Sequence, residues 1–317
     1  MNFSALLTII ATLFLLMSCG FFARKKGIID DVASKRLSTL IIKIGQPMMI
    51  ISALVEAEFS YDNLKDGFLY IGVGMVFHAV MGTLAFLLCK GFRDLDERKI
   101  TEFSLMFVNG GFIGFPILEA LFGAKGLFLA AFFNISFHLF IWSWGIAILA
   151  RKRSDIKLTV KKIFINLGSI PCLIGILLYM LVIPFPNFVL PTFLSKFFMY
   201  LSNLCTPISV LITGGLLATI SLSAMFRNKQ LYFMSFFKLL VFPAVACCLA
   251  KLLGLPDLYV ILCTVMAGLP CASTVTMLAE LHDIEPGYAS QTVGMTSLLT
   301  TATLPCAVLF AKWILTL

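Results

Sequence analysis

Charge is what this sequence has least of. Only 13% of its 317 residues are Asp, Glu, Lys or Arg, about half the share of an ordinary soluble domain, roughly 25%. So few ionic groups cannot cover the surface of a soluble protein of this length, which excludes that class. There is no Cys-x-x-Cys pair. The nine cysteines fall mostly inside apolar runs (Cys19, Cys172, Cys247, Cys248, Cys263, Cys306), the pattern of buried reduced thiols rather than of a disulfide framework or a zinc site. The three histidines, His78, His138 and His282, are too dispersed for a metal cluster. His-Glu-x-x-His, Gly-x-Ser-x-Gly and aspartate-rich metal motifs are all missing, which argues against a membrane enzyme and against any cofactor. A basic n-region is missing too. The first charges, Arg24, Lys25 and Lys26, follow the first apolar run, so that run reads as a helix entering from outside and not as a signal peptide.

What is abundant is apolar: 60% of residues are hydrophobic and the mean hydropathy is +1.01. A helical span takes about 20 residues. Ten are expected, at 3–23, 36–56, 67–90, 100–119, 124–150, 162–183, 193–220, 230–253, 257–280 and 287–315. The chain is therefore read as an all-α integral membrane protein in a lipid bilayer. The net charge of +8 is no signal for nucleic acid, because the basic residues cluster between the apolar runs. With the N-terminus outside, the cytoplasmic loops hold 17 of the 24 Lys and Arg residues, in the groups 24–36, 90–99, 151–162 and 227–229. The positive-inside bias and the even span count predict both termini outside. Lys43 and Lys238 fall within spans, and both are expected to snorkel to the inner interface.

The longest basic loop divides the chain. Residues 1–150 form one expected five-helix repeat, 151–161 a cytoplasmic linker and 162–317 a second repeat. An odd number of spans per half inverts one half relative to the other. Proline placement repeats as well: Pro47 and Pro116 interrupt the second and fourth spans of the first half, Pro207 and Pro270 those of the second. Corresponding interrupted helices in inverted halves point to a transporter site.

The densest interruption is Asn109-Gly110-Gly111-Phe112-Ile113-Gly114-Phe115-Pro116. Three glycines and a proline are poor helix material, and Pro116 deprives the Phe112 carbonyl of its helical donor. A shorter break is Ala267-Gly268-Leu269-Pro270-Cys271-Ala272-Ser273-Thr274, where Pro270 frees the Met266 carbonyl, and the last span is rich in Ser and Thr, Thr296 among them. Broken helices 4 and 9 are expected to cross near the bilayer midplane. Each break exposes a half-helix N-terminus with unpaired N–H groups and partial positive charge, which binds a carboxylate without a basic side chain. Asn109 adds an amide donor. Small residues also mark close helix packing in membranes, so the matched positions, and not the glycines alone, carry the reading. Asn134, four residues before His138, and Thr206, beside Pro207, are further candidate lining residues, with interhelical hydrogen bonding as the alternative.

These residues give the chain a resemblance to the auxin efflux carrier family, which includes the plant PIN carriers and bacterial permeases for malate or malonate. The motifs are Asn109-x-x-x-x-Gly114-x-Pro116 followed by Phe122-Gly123, then Gly268-Leu269-Pro270, and the tail from Tyr288-Ala289-Ser290 through Thr303-Leu304-Pro305. The resemblance implies two inverted five-helix repeats and crossing helices 4 and 9. It implies a scaffold of helices 1, 2, 6 and 7, a mobile part of 3–5 and 8–10, elevator-like alternating access and often a homodimer. It implies that the amide at position 109 touches the substrate carboxylate. The plant carriers have a long central hydrophilic loop; here about a dozen residues stand there, which favours a bacterial inner-membrane permease over an auxin carrier. The expected function is thus secondary transport of small organic anions, with a channel or a transport-derived sensor as the alternatives. The residues leave the coupling ion, proton or sodium, open.

Overall fold

The computed structural model describes residues 3–55, 60–156, 169–185 and 190–316. Their regular structure is helical throughout, apart from one isolated bridge between Val108 and Cys271. Helix α1 (Phe3–Lys25) is followed by α2 (Asp31–Leu40), which continues through a π turn into α3 (Gln46–Val55). Helix α4 is Tyr61–Leu88 and α5 is Leu95–Met106. A π turn at Gly110–Gly114 opens α6 (Phe115–Phe140), which runs on through another into α7 (Ile146–Leu149). Then come α8 (Ser169–Val182), α9 (Thr192–Ser202), α10 (Cys205–Thr219) and the short α11 (Leu222–Arg227). Helix α12 (Lys229–Phe236) passes through a π turn into α13 (Phe242–Leu252). The chain closes with α14 (Asp257–Ala267), α15 (Thr274–His282) and α16 (Pro286–Thr316).

Seven helical stretches among the described residues are long and apolar enough to cross a membrane, against ten expected spans. The difference has identifiable causes. Within the stretch Gly110–Leu149 two helices meet at a corner, Gly123 at φ 60°, ψ −150°, so the expected fourth span corresponds to α5 with the helix up to the corner and the expected fifth to the helix beyond it. An L-residue with a side chain rarely takes that conformation, whereas glycine does. The expected ninth span is split into α14 and α15. The expected sixth span and the linker at 151–161 lie partly outside the described residues.

Prolines shape several of these elements. Pro47, Pro116 and Pro243 each follow a π turn, and in each case the residue just before the proline donates its N–H five residues back: Gln46 to Ile41, Phe115 to Gly110, Phe242 to Phe237. A proline ring crowds the carbonyl four residues before it, and a widened turn moves that carbonyl aside while keeping the backbone bonded. In a membrane, this keeps a kinked helix from exposing polar groups to lipid.

Helix α1 packs closely along α10. The approach is limited by backbone: a Cβ on Gly20 would overlap the Leu211 carbonyl, and one on Gly214 the Met17 carbonyl. Helix α3 packs on α8 and α9, α4 on α5 and α6, and α14 on α13 and α16. At the loop end of α7, the Arg151 guanidinium clamps the fully buried Glu102 carboxylate on α5 with two bonds of 2.5 and 2.7 Å. Nearby, Arg153 donates to the His282 carbonyl at 2.8 Å, closing the C-terminal end of α15. The hydrogen bond from Arg153 holds the Asp155 carboxyl below its ordinary value.

Candidate functional site

The two interruptions predicted from glycine and proline meet each other. Helix α5 stops at Met106, and residues 107–109 run extended alongside the second break. The Asn109 N–H donates to the Pro270 carbonyl at 2.8 Å and the Ala272 N–H to the Phe107 carbonyl at 3.1 Å. These two bonds make the Val108–Cys271 pair a short antiparallel bridge at the heart of a helical protein. Each break thereby supplies donors and acceptors the other lacks, which is how non-helical backbone survives at membrane depth.

Glycine makes the approach possible. A Cβ on Gly110 would sit 2.9 Å from the Met266 Cε, and one on Gly114 2.7 Å from the Leu269 Cδ1. Gly111 is turned the other way, toward α3, where a Cβ would meet the Gln46 amide nitrogen at 3.2 Å. The break itself starts earlier than the glycine run: Gly110–Gly114 is a π turn, with the Ile113 and Gly114 N–H groups both donating to the Asn109 carbonyl, at 3.3 and 3.0 Å. At the second break, the Met266 carbonyl that Pro270 was expected to leave free accepts from the Leu269 N–H at 3.3 Å. A tightened last turn recovers it.

Asn109 is 4% exposed, and its Nδ2 donates to the Ser273 Oγ at 3.0 Å. Ser273 occupies the N-cap position of α15 without capping it. Beside this pair, the N–H groups of Gly110, Gly111 and Phe112 on one break, and of Ser273 and Thr274 on the other, have no hydrogen-bond partner among the described residues. Two half-helix N-termini thus face a common junction with donors unspent, the arrangement that favours an anion. Cys271 is fixed from α16, where the Thr296 Oγ1 accepts its N–H at 3.2 Å. Thr292 on the same helix pairs with Ser104 on α5 at 3.1 Å.

Next to the junction lies a cavity of about 40 Å³. One wall is apolar, from Ile10, Leu13 and Met17 on α1 with Ile113 and Ile117; the other carries Pro270, Thr213, Ser297, Thr300 and Thr301. The buried Ser297 Oγ has no partner. At roughly 10–15 Å³ of such space for each water, the cavity has room for a few waters.

Of the residues singled out from sequence, Asn109, Gly110, Gly111, Gly114, Gly268, Pro270 and Cys271 lie at the junction or in the strand and turns that form it, and Pro116 ends the π turn. Asn134 lies in α6 and pairs with His138, its Nδ2 3.3 Å from the ring Nε2. Thr206 is half-buried at the start of α10, and the cavity is reached from that helix by Val210 and Thr213. Lys43 is exposed, as a snorkelling lysine is. Lys238 is not: it is 1% exposed, and its Nζ donates to the Leu105 and Phe107 carbonyls at 2.8 and 3.1 Å. That corrects the snorkelling expectation. The bonds explain it, since the two carbonyls where α5 ends, that of Leu105 without its helical donor and that of Phe107 shared with the Ala272 N–H, hold the ammonium better than the interface would. Gln46 was missed, although it directly precedes Pro47; Ser273 lies within the second break, and Thr296 in a last span rich in Ser and Thr.

Membrane-length helices around two discontinuous ones, tied at their breaks, define a multi-pass helical membrane protein. The chain belongs to the membrane transport protein family, which residues 5–308 match. It is similar to an uncharacterised transporter of Methanothermobacter thermautotrophicus, 23% identical over 301 residues, covering 94% of this chain and 95% of that one. It is also similar to an uncharacterised transporter of Methanocaldococcus jannaschii, 27% identical over 299 residues, covering 91% and 93%.

Proposed function

We propose that the chain is a secondary transporter of small organic anions, carboxylates above all, and that the anion binds at the junction of the two breaks. The observation that carries this is the set of unpaired N–H groups on both breaks beside the Asn109 amide. No basic side chain is needed to hold a carboxylate there. The small size of the cavity, about 40 Å³, supports alternating access, because a multi-carbon acid needs several times that volume. The packing supports an elevator-like division, with α1, α3, α8, α9 and α10 as scaffold and the helices carrying the breaks as the moving part. The finer parts of the proposal are two inverted repeats, a homodimer and a place among bacterial permeases related to the plant carriers.

Uptake by proteoliposomes tests the reading. Labelled mono- and dicarboxylates should be taken up saturably and show counterflow, while amines and sugars should not. Flux without counterflow would make the protein a channel, and binding without movement a sensor.

We further place the protein in a bacterial plasma membrane with both termini outside, on the basic-residue bias. A reporter active only in the cytoplasm, fused to either end, should stay silent. Activity at one end would mean an odd number of crossings, and at both ends the opposite orientation.

A further inference from the structure

The anion site described above makes no use of Lys238, although this lysine reaches the same junction from the other side. Its ammonium is buried in the π turn Phe237–Val241, with no carboxylate among the described residues at ion-pair distance. An isolated buried charge is costly unless fully bonded. Its partners are specific. A continuous α5 would bond the Leu105 carbonyl to the N–H of residue 109 and the Phe107 carbonyl to that of residue 111. The break sends the Asn109 N–H to Pro270 instead and leaves that of Gly111 unpaired. Lys238 takes up the stranded Leu105 carbonyl at 2.8 Å and gives the Phe107 carbonyl, which also accepts from the Ala272 N–H, a second donor at 3.1 Å.

The carbonyl end of a half-helix carries partial negative charge. In transporters built on discontinuous helices, unwound carbonyls and such ends coordinate the coupling cation. Here a cation of the chain's own stands in that place. A second cation against the same carbonyls would be repelled strongly, because screening inside the protein is weak.

We propose that Lys238 is a tethered cation that fills the cation position at the carbonyl end of the junction, so that the junction closes without sodium. The consequence for coupling rests on the junction being the transport site; the ion-filling role does not.

The test is the melting temperature of the full-length protein purified in detergent, in choline, ammonium, sodium or lithium chloride at equal ionic strength. Wild type is expected to melt at one temperature in all four. Lys238→Ala is expected to melt several degrees lower in choline and to recover part of the loss saturably in ammonium, with a smaller recovery in sodium or lithium. If Lys238→Ala does not fold, Lys238→Gln replaces it; its side chain is uncharged and one atom shorter, and the same salt dependence is expected. Three results would overturn the proposal: a saturable sodium-specific rise in wild type, a variant that melts like wild type in choline, or a variant lowered equally in every salt. The last would make the lysine a strut and not an ion's substitute. None of these depends on transport, so a sodium-stabilised wild type would unseat the tethered cation and leave the anion site standing. Failure of the Asn109 variants to alter transport would do the reverse.

Discussion

Asn109→Asp should reduce transport of a carboxylate at neutral pH by more than 100-fold. The substitution keeps the shape of the side chain, removes the donor that reaches Ser273 and sets a second negative charge beside the substrate. At a buried junction, repulsion between two anions is far stronger than at a surface. Asn109→Ala removes one hydrogen bond to a charged group, at a cost of about 1.5–3 kcal/mol, which is roughly 10-fold to 100-fold in affinity. Acidification, which neutralises an introduced carboxyl, should recover part of the Asp variant's activity and none of the Ala variant's. Ser273→Ala separates substrate reading from structure, because it breaks the Asn109–Ser273 tie and leaves the amide in place. If it matches Asn109→Ala in uptake, the amide serves only to hold the two breaks together. A well-folded Asn109→Asp that transports like wild type would put the anion site elsewhere.

The largest stability effect is expected from Arg151→Ala. The Glu102 side chain is 0% exposed and meets the guanidinium with both oxygens, while Arg151 itself is 28% exposed. Removing the cation strands a buried carboxylate, at a cost of about 3–5 kcal/mol. Arg151 also lies over the Phe86 ring, 5.4 Å from its centroid, so packing is lost with the charge. Glu102→Gln keeps an acceptor and removes the buried charge, and should be milder. Combining the two changes should cost less than the sum, because the partners form one unit. Melting temperatures of the four proteins in detergent would measure this. A single Arg151→Ala change within about 1 kcal/mol of wild type, the usual worth of an exposed pair, would mean that the clamp opens in solution.

Much of the architecture could be read from residue order. Missing charge gave the membrane class, and the glycines and prolines at 109–116 and 268–270 located both irregular segments. What residue order could not give was their mutual bonding. The bridge between Val108 and Cys271 joins positions on different halves of the chain; the matched prolines point to a crossing of the two breaks, but nothing in either segment announces which backbone groups bond. Lys238 was misread for a related reason. A lysine a few residues inside an apolar run usually reaches back to the interface, and only the distant end of α5 offers a better place. At Gly123 the backbone leaves the helical region and two helices meet, close to the boundary expected between the fourth and fifth spans. Asn134 and Thr206 are both polar residues in apolar helices, and polarity alone does not say what each one meets: Asn134 has His138, four residues on, for a partner.

The widened turns have a consequence for the phase of the helices that contain them. Leu231, Met234, Ser235, Lys238 and Leu239 are buried up to the π turn, and Phe242, Pro243, Ala246, Cys247 and Ala250 are buried after it. On a uniform helix of 3.6 residues per turn, the second set would be rotated from the first by close to one residue step, about 100°. The extra residue held in Phe237–Val241 absorbs that rotation, so both sets look toward the same neighbours. The helix behaves as two regular rods spliced with one surplus residue. Excising one residue from 237–241 other than Lys238 would leave both apolar faces in register, while the same deletion a turn further along would swing everything beyond it toward lipid.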